Sequence, residues 1–269
     1  MKKTNINLET AHSTSPRTIS IVGSGNVATH LALALHQAGC TIRQVLSRSY
    51  EHAQMLARRV DAAPVNQWQR LDEDADIYIL AVSDDALYDL ALDLRLPDAL
   101  VVHTSGTTPM SVLKPISRRH GVLWSPQTFV RDIAMDYHRL PLCIEGSTPQ
   151  ATADLEALTS LISPCIYHLD HEQRRQAHLA AVVVSNFVNA LNATAQEYMK
   201  AHGLDFDMLR PLAEQTLRKW DYGNLWLQQT GPAARRDEHT LNAQRRLLTD
   251  QPELLRLYDQ MTDLIQQHT

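Results

Sequence analysis

The spacing of apolar residues changes character partway along this chain. Up to about position 170, short continuous apolar runs alternate with stretches in which apolar residues recur every three to four positions. Runs at 19–22, 41–46, 63–65, 76–82, 100–104, 121–125, 141–145 and 165–169 read as strands, because each is short, apolar and punctuated by turn-forming residues. Between them lie helical patterns. Val27, Leu31, Ala34, Leu35 and Ala38 share one face, and Ala53, Leu56, Ala57 and Val60 share another. Ser83-Asp84-Asp85 reads as the cap of a third helix, and 149–161 as a fourth. This alternation predicts an α/β fold with a doubly wound, mostly parallel Rossmann sheet. From His171 the strand pattern stops. Helices are expected at 171–201, 205–220, 224–229, 237–248 and 252–267, with breaks at Gly203 and Gly231-Pro232. The organisation predicted is a flexible leader over 1–17, an α/β domain over 18–170 and an all-helical C-terminal domain over 171–269.

The first strand runs into Gly23-Ser24-Gly25-Asn26-Val27-Ala28, and a helix follows. Strand, glycine turn and helix in that order form the dinucleotide fingerprint G-x-G-x-x-A. Gly23 serves the tight turn, Gly25 the close approach of a pyrophosphate, and Ala28 the helix–strand packing. The helix would offer unpaired N–H groups and a partial positive charge to the phosphates. The second strand ends in Ser47-Arg48-Ser49, and Arg48 lies 23 positions after Gly25, where the NAD fingerprint places an acid. An acid repels a 2′-phosphate, whereas an arginine grips it, so Arg48 between two serines favours NADP. In an open α/β sheet, ligands bind beyond the carboxyl ends of the strands. The residues just after each strand therefore carry the functional expectation.

Composition narrows the classes. With 25 Lys plus Arg against 30 Asp plus Glu and no basic block, nucleic-acid binding is not expected. No apolar stretch reaches membrane-spanning length, and the leader lacks the apolar core of a secretory signal. Cys40, Cys143 and Cys165 are widely spaced, which fits buried thiols in a reducing cytoplasm better than a disulfide framework. The thirteen histidines are scattered without zinc spacing, so no metal is expected. On the 171–201 helix, His178, Ser185, Asn189, Asn192 and Gln196 form a polar stripe with Asn186 at its edge. The other faces carry Leu179, Val182, Val183, Val184, Phe187, Val188 and Leu191. A helix this apolar is expected to be buried. Its stripe faces either a substrate cleft, a partner helix or water.

Several segments occur together in one order: the glycine fingerprint, Ala81-Val82-Ser83-Asp84, His103-Thr104-Ser105-Gly106, Ser125-Pro126-Gln127-Thr128-Phe129, Ser185-Asn186, and Thr230-Gly231-Pro232 with Arg235. Over roughly 18–265 the chain resembles a bacterial family that pairs a Rossmann-like domain with a helical domain of unknown function. Members of that family are commonly labelled NADP oxidoreductases. The family is similar to pyrroline-5-carboxylate reductase and to deazaflavin-dependent NADP reductases, and more distantly to sugar-acid dehydrogenases. The resemblance implies a nicotinamide cofactor and a dimer, and it implies no substrate. Sugar-acid dehydrogenases carry a lysine on the long helix as general acid/base. Here the first lysine on that helix is Lys200, at its end, so their reaction does not transfer.

The reading that follows is an NADPH-dependent oxidoreductase moving a hydride between NADP and a small imine, ketone or hydroxy acid held between the domains. Gly23, Ser24, Gly25, Asn26 and Val27 would hold the pyrophosphate, and Ser47, Arg48 and Ser49 the 2′-phosphate. Val82, Ser83, Thr104 and Ser105 would flank the nicotinamide. His103 or His178 would supply a proton, since imidazole titrates near neutrality, and Asn186 with Ser105 and Gln127 would orient the substrate. Leucines 241, 247, 248, 254, 255, 257 and 264, with Tyr258 and Met261, are expected to build a homodimer through the helical domain. The competing reading is a dinucleotide-binding sensor or partner-binding protein without turnover.

Overall fold

In the computed structural model, residues 17–131, 133 and 135–269 are described; the leader expected over 1–17 lies outside them, save Arg17. Eight strands form one sheet: β1 (Thr18–Val22), β2 (Thr41–Leu46), β3 (Ala63–Val65), β4 (Ile77–Leu80), β5 (Leu100–His103), β6 (Arg119–Trp124), β7 (Leu142–Gly146) and β8 (Ile166–His168). Their order is β3-β2-β1-β4-β5-β6-β7-β8. All neighbouring pairs are parallel except β6 with β7. This is the doubly wound Rossmann sheet the alternation predicted, and the chain direction of strand addition reverses between β1 and β4. Ligands in such sheets bind at that switch point.

Side-chain alternation explains the two layers. Ile19 and Ile21 of β1, Ile77 and Ile79 of β4, and Leu100 and Val102 of β5 point to one face. There they meet α1 (Asn26–Gln37), α2 (Tyr50–Arg59) and α4 (Pro149–Thr159) through Leu31, Leu35, Leu56 and Leu155. Tyr78, Leu80 and Val101 point to the other face, against Leu87 and Ala91 of α3 (Asp84–Asp93). A sheet covered on both faces reads as continuous apolar runs, which is why its strands were legible. Strand ends differ from the expected ones by one or two residues. Ala81, Val82 and Thr104 already lie past their strands, which puts them on the carboxyl edge.

The chain forms two compact units, one reaching Ser185 and one from Asn186 onward. The division expected at 171 falls later because α5 (His171–Ala181) is tied to the sheet of the first unit. Asp170 and Gln173 close a capping box at its start. Arg174, 1% exposed at its side chain, pairs with Glu145 of β7 and donates to the Thr108 carbonyl at 2.9 Å. The helix expected at 171–201 is interrupted by a π-helical turn at Val182–Phe187, after which α6 (Val188–Ala201) resumes. Three consecutive valines open that turn. A wider i→i+5 turn leaves no mark in a 3.6-residue pattern.

In the second unit the helix expected at 205–220 is a 3-10 turn at Phe206–Leu209, then α7 (Arg210–Arg218), then another turn at Lys219–Tyr222. Pro211 sits in the first turn of α7, where its missing N–H costs nothing. α8 (Glu238–Leu247) and α9 (Pro252–His268) join through Arg245 to Asp259 at 2.8 Å, around a fully buried Leu241. The burial expected of the long helix is not found in the single chain. α6 has no buried residue, and Leu179, Val183, Val184 and Phe187 are each about half exposed or more. Among the described residues no helix is long and apolar enough to cross a membrane, and no cluster of three or more His, Cys, Asp or Glu could hold a metal. The three cysteines are unpaired thiols, two of them buried. Burial pushes the Cys143 thiol up to about 12, against a weaker opposing pull from Arg174.

Candidate functional site

The turn after β1 is shaped by two glycines with different demands. Gly23 adopts φ +125°, and a Cβ there would stand 2.1 Å from the Ala81 carbonyl oxygen. The fold itself therefore requires glycine at 23. Gly25 caps α1 with φ −76° and ψ −171°, a conformation open to any residue, and an added Cβ would meet nothing within 4 Å. The fold does not require glycine at 25. The space before it is open, and no side chain caps the helix it begins. The first turn of α1, starting with the exposed Asn26, has no acidic residue. The start of α1 thus has neither a capping side chain nor an acid to answer the positive end of the helix dipole. A pyrophosphate fits that cradle on both counts.

Ser24 Oγ donates to Ser47 Oγ at 2.8 Å, so the turn and the end of β2 touch directly. Ser49 is occupied as the N-cap of α2, accepting from the His52 N–H at 3.3 Å. Arg48 between them is exposed. Of the three residues expected at a 2′-phosphate, Arg48 is exposed and makes no ion pair among the described residues, Ser47 accepts from Ser24, and Ser49 has a structural duty.

The loop after β5 is built differently. His103 is fully buried, and its Nδ1 accepts from the Ser105 N–H at 3.2 Å. That bond requires the neutral, Nε2-protonated tautomer. Burial, reinforced by the Arg174 guanidinium, lowers its pKa to about 4. Ser105 Oγ in turn accepts from the N–H groups of Thr107 and Thr108 at 3.1 and 2.9 Å, and Thr107 Oγ1 donates to Asp84 at 2.6 Å. Burial would raise the Asp84 carboxyl, but the hydroxyls of Thr107, Ser105 and Thr108 hold it below its ordinary range. Asp84 and Asp85 fill the first turn of α3, so Val82 and the exposed Ser83 precede a helix end that supplies its own negative charge.

His178 of α5 reaches the same loop. A Cβ on Gly106 would lie 2.8 Å from the imidazole and 3.0 Å from the Trp124 indole nitrogen, so both rings approach the backbone too closely for a side chain. The Trp124 and His178 rings meet edge to face at 5.9 Å. His178 is half-buried, unlike His103. Nearby, Thr128 Oγ1 lies 2.9 Å from Ser185 Oγ. A cavity of about 100 Å³ opens at this edge of the sheet, lined among others by Val27, Leu31, Thr104, Trp124, Gln127 and Phe129. It joins the first turn of α1 to the ends of β5 and β6. The fold thus brings together the glycine turn with Ser47, and separately Thr104, Ser105 and His178. Asn186 lies in the second unit, within the π turn.

The role of proton donor expected of His103 does not survive its placement. A donor must touch the reacting group, and a sealed imidazole that titrates near 4 neither touches it nor carries a spare proton at neutral pH. Its position at a strand end, the feature that singled it out, is the reason it is buried: by strand alternation it follows Val101 toward the inner layer under α3. Arg174 was missed. Its only sequence mark is standing four residues before His178 on the same helix face, and its bonds to Glu145 and the Thr108 carbonyl tie the helix that carries His178 to the sheet.

Residues 4–125 match a Rossmann-like domain, and residues 140–265 match a domain of unknown function, DUF2520. No curated protein matches the sequence. Among solved structures, a Bacteroides fragilis protein described as a "putative NADP oxidoreductase" is 36% identical, with 94% of this chain and 98% of that one covered and a TM-score of 0.88. An imine reductase from Myxococcus stipitatus in complex with NADP+ is 15% identical, covering 93% of each chain, with a TM-score of 0.63. A pyrroline-5-carboxylate reductase from Coxiella burnetii is 14% identical, with 94% and 97% covered and a TM-score of 0.57. The last two share the fold. The chain belongs to the family that joins a Rossmann-like domain to DUF2520.

Proposed function

We propose that this chain is an NADPH-dependent oxidoreductase acting on a small imine, ketone or hydroxy acid. The observation that carries the reading is Gly25: glycine there is unexplained by the fold and explained by a ligand phosphate pressed against the backbone. The NADP complexes and oxidoreductases among the structural relatives support it. When bound, the nicotinamide supplies or takes the hydride. The residues of the chain do the rest. The turn from Gly23 to Val27 binds the pyrophosphate, and Arg48 with Ser47 holds the 2′-phosphate. Thr104, Trp124 and Val27 line the cavity beside them. His178 holds the proton that a reduced carbonyl or imine nitrogen needs, and neutral His103 keeps the Ser105 loop in place. The reading rests on first-unit residues alone.

Calorimetric titration with NADPH and NADH tests it. The wild type should bind NADPH more tightly. Arg48→Ala should weaken NADPH about tenfold or more and leave NADH nearly unchanged, as for loss of one charged hydrogen-bond pair. Equal loss for both dinucleotides would remove the 2′-phosphate assignment. Failure to consume NADPH with imines, ketones and 2-oxo acids, despite tight binding, would favour the sensor.

We also infer a homodimer. A 14-residue helix without a buried residue is marginal on its own, and α6 carries Val188 and Leu191 on an uncovered surface. A second copy of the chain covers it in this reading. A monomer by sedimentation at micromolar concentration would overturn it.

A further inference from the structure

One cation stands at the glycine turn without being part of it. Arg131 Nη2 donates to the carbonyl of Ser24, the middle residue of the turn, at 3.0 Å, although 107 positions separate the two. Arg131 arrives on a segment strapped across α1. His30 of α1 is 4% exposed, and its Nε2 donates to the Val130 carbonyl at 2.8 Å. Tyr137 hydroxyl donates to the His30 carbonyl at 3.0 Å, and the Phe129 ring lies 5.3 Å from the imidazole. The carbonyl just before Arg131 and the side chain of Tyr137 beyond it are therefore held to α1 by contacts that involve no part of the Arg131 side chain. Such anchoring delivers a guanidinium to the turn that the first turn of α1, free of acidic residues, gives it no charge-based reason to approach.

Among the described residues, the bond Arg131 makes is to a neutral carbonyl and uses one of five N–H donors. A phosphate oxygen is the stronger acceptor for the remaining fork, since charge-assisted bonds are about twice as strong as neutral ones. We propose that Arg131 is a pyrophosphate-binding residue, contributed by the segment after β6 to the cradle that the α1 N-terminus begins. This rests on the dinucleotide reading of the turn. It divides the labour of the two arginines: Arg48 reads the 2′-phosphate and so chooses between cofactors, while Arg131 grips what NADPH and NADH share.

Titration calorimetry of Arg131→Ala and Arg131→Lys with both dinucleotides, alongside thermal unfolding of the ligand-free proteins, tests this. Arg131→Ala should weaken NADPH and NADH by the same factor, about tenfold or more, with an unchanged ligand-free Tm. Arg131→Lys should recover part of the loss for both. A loss confined to NADPH would place Arg131 at the 2′-phosphate and overturn the proposal. A lowered ligand-free Tm with unchanged affinities would make it only a brace for the turn. If the wild type binds NADPH and Arg131→Ala binds it equally well, this inference alone falls. If the wild type binds neither dinucleotide, the dinucleotide reading falls and takes this one with it.

Discussion

Two loops at the carboxyl edge of the sheet solve opposite problems. The one after β5 closes on itself: His103 accepts from Ser105, Ser105 from Thr107 and Thr108, and Thr107 donates to Asp84 at the start of α3. The one after β1 leaves its helix end open, with a glycine cap, no side-chain capping bond and no acid in the first turn. Buried polar groups are satisfied almost everywhere in folded proteins. Ser83 at the start of α3 makes no side-chain capping bond either, but Asp84 and Asp85 supply negative charge there. The start of α1 lacks both a capping side chain and an acid, and that marks the place kept for a ligand. Both loops contain serine, glycine and polar neighbours, so composition does not separate them. Their hydrogen bonds do.

The largest effect that would break the contrast is at Gly23. Placing a methyl 2.1 Å from the Ala81 carbonyl at φ +125° should cost about 3–5 kcal/mol of folding stability, from left-handed strain plus overpacking. Urea unfolding of Gly23→Ala measures it. A loss under about 1 kcal/mol would mean the turn relaxes freely and its geometry is not fixed by the sheet.

The loop after β5, in which His103 Nδ1 is bonded and its buried Nε2 has no partner among the described residues, has a pH signature. The folded-state pKa of His103 is depressed to about 4, below the ordinary value of 6.5. The unfolded chain then binds the extra proton between those values, so stability rises with pH across that window. The contribution is complete above about 6.5 and is lost as pH falls toward 4, to the extent of about 3 kcal/mol. His103→Asn keeps an acceptor for the Ser105 N–H and removes the titration, so its urea-derived stability should fall less than that of the wild type from pH 7 to pH 4. Parallel slopes would show that His103 is not the sealed, neutral group described.

How much of this was readable beforehand follows from what each feature writes into the chain. The sheet was legible because burial on both faces leaves uninterrupted apolar runs, as at Ile19–Val22 and Leu100–Val102. Gly23 and Gly25 were legible as a pair with different tasks, the turn and the phosphate approach. What the sequence did not show is that the Ala81 carbonyl and a φ of +125° bar a side chain at 23 while nothing crowds 25. His103 and His178 looked alike in sequence, one after a strand and one on a helix, and burial separated them. Arg131 reaches Ser24 over 107 positions, and Arg174 reaches the Thr108 carbonyl over 66 and Glu145 over 29, which no local pattern encodes. The π turn and the breaks around α7 escaped because both preserve roughly helical spacing.

The smallest effect on free energy bears most directly on the contrast. Gly25→Asp gives the open helix start what α3 already has, a carboxylate at its N-terminus. The fold should accept it: the backbone angles suit any residue, an added Cβ meets nothing, and aspartate caps a helix at least as well as glycine. Ligand-free Tm should hold or rise slightly. Dinucleotide affinity should fall about 30-fold, near 2 kcal/mol, because the carboxylate takes the donors and the charge that a pyrophosphate would use. NADPH and NADH should suffer alike, since the change lies away from Arg48. A protein that keeps both its Tm and its affinity would show that the bare helix end is not where the phosphates sit. One that loses its Tm would show that Gly25 serves the fold after all, and that the two loops differ less than their hydrogen bonds imply.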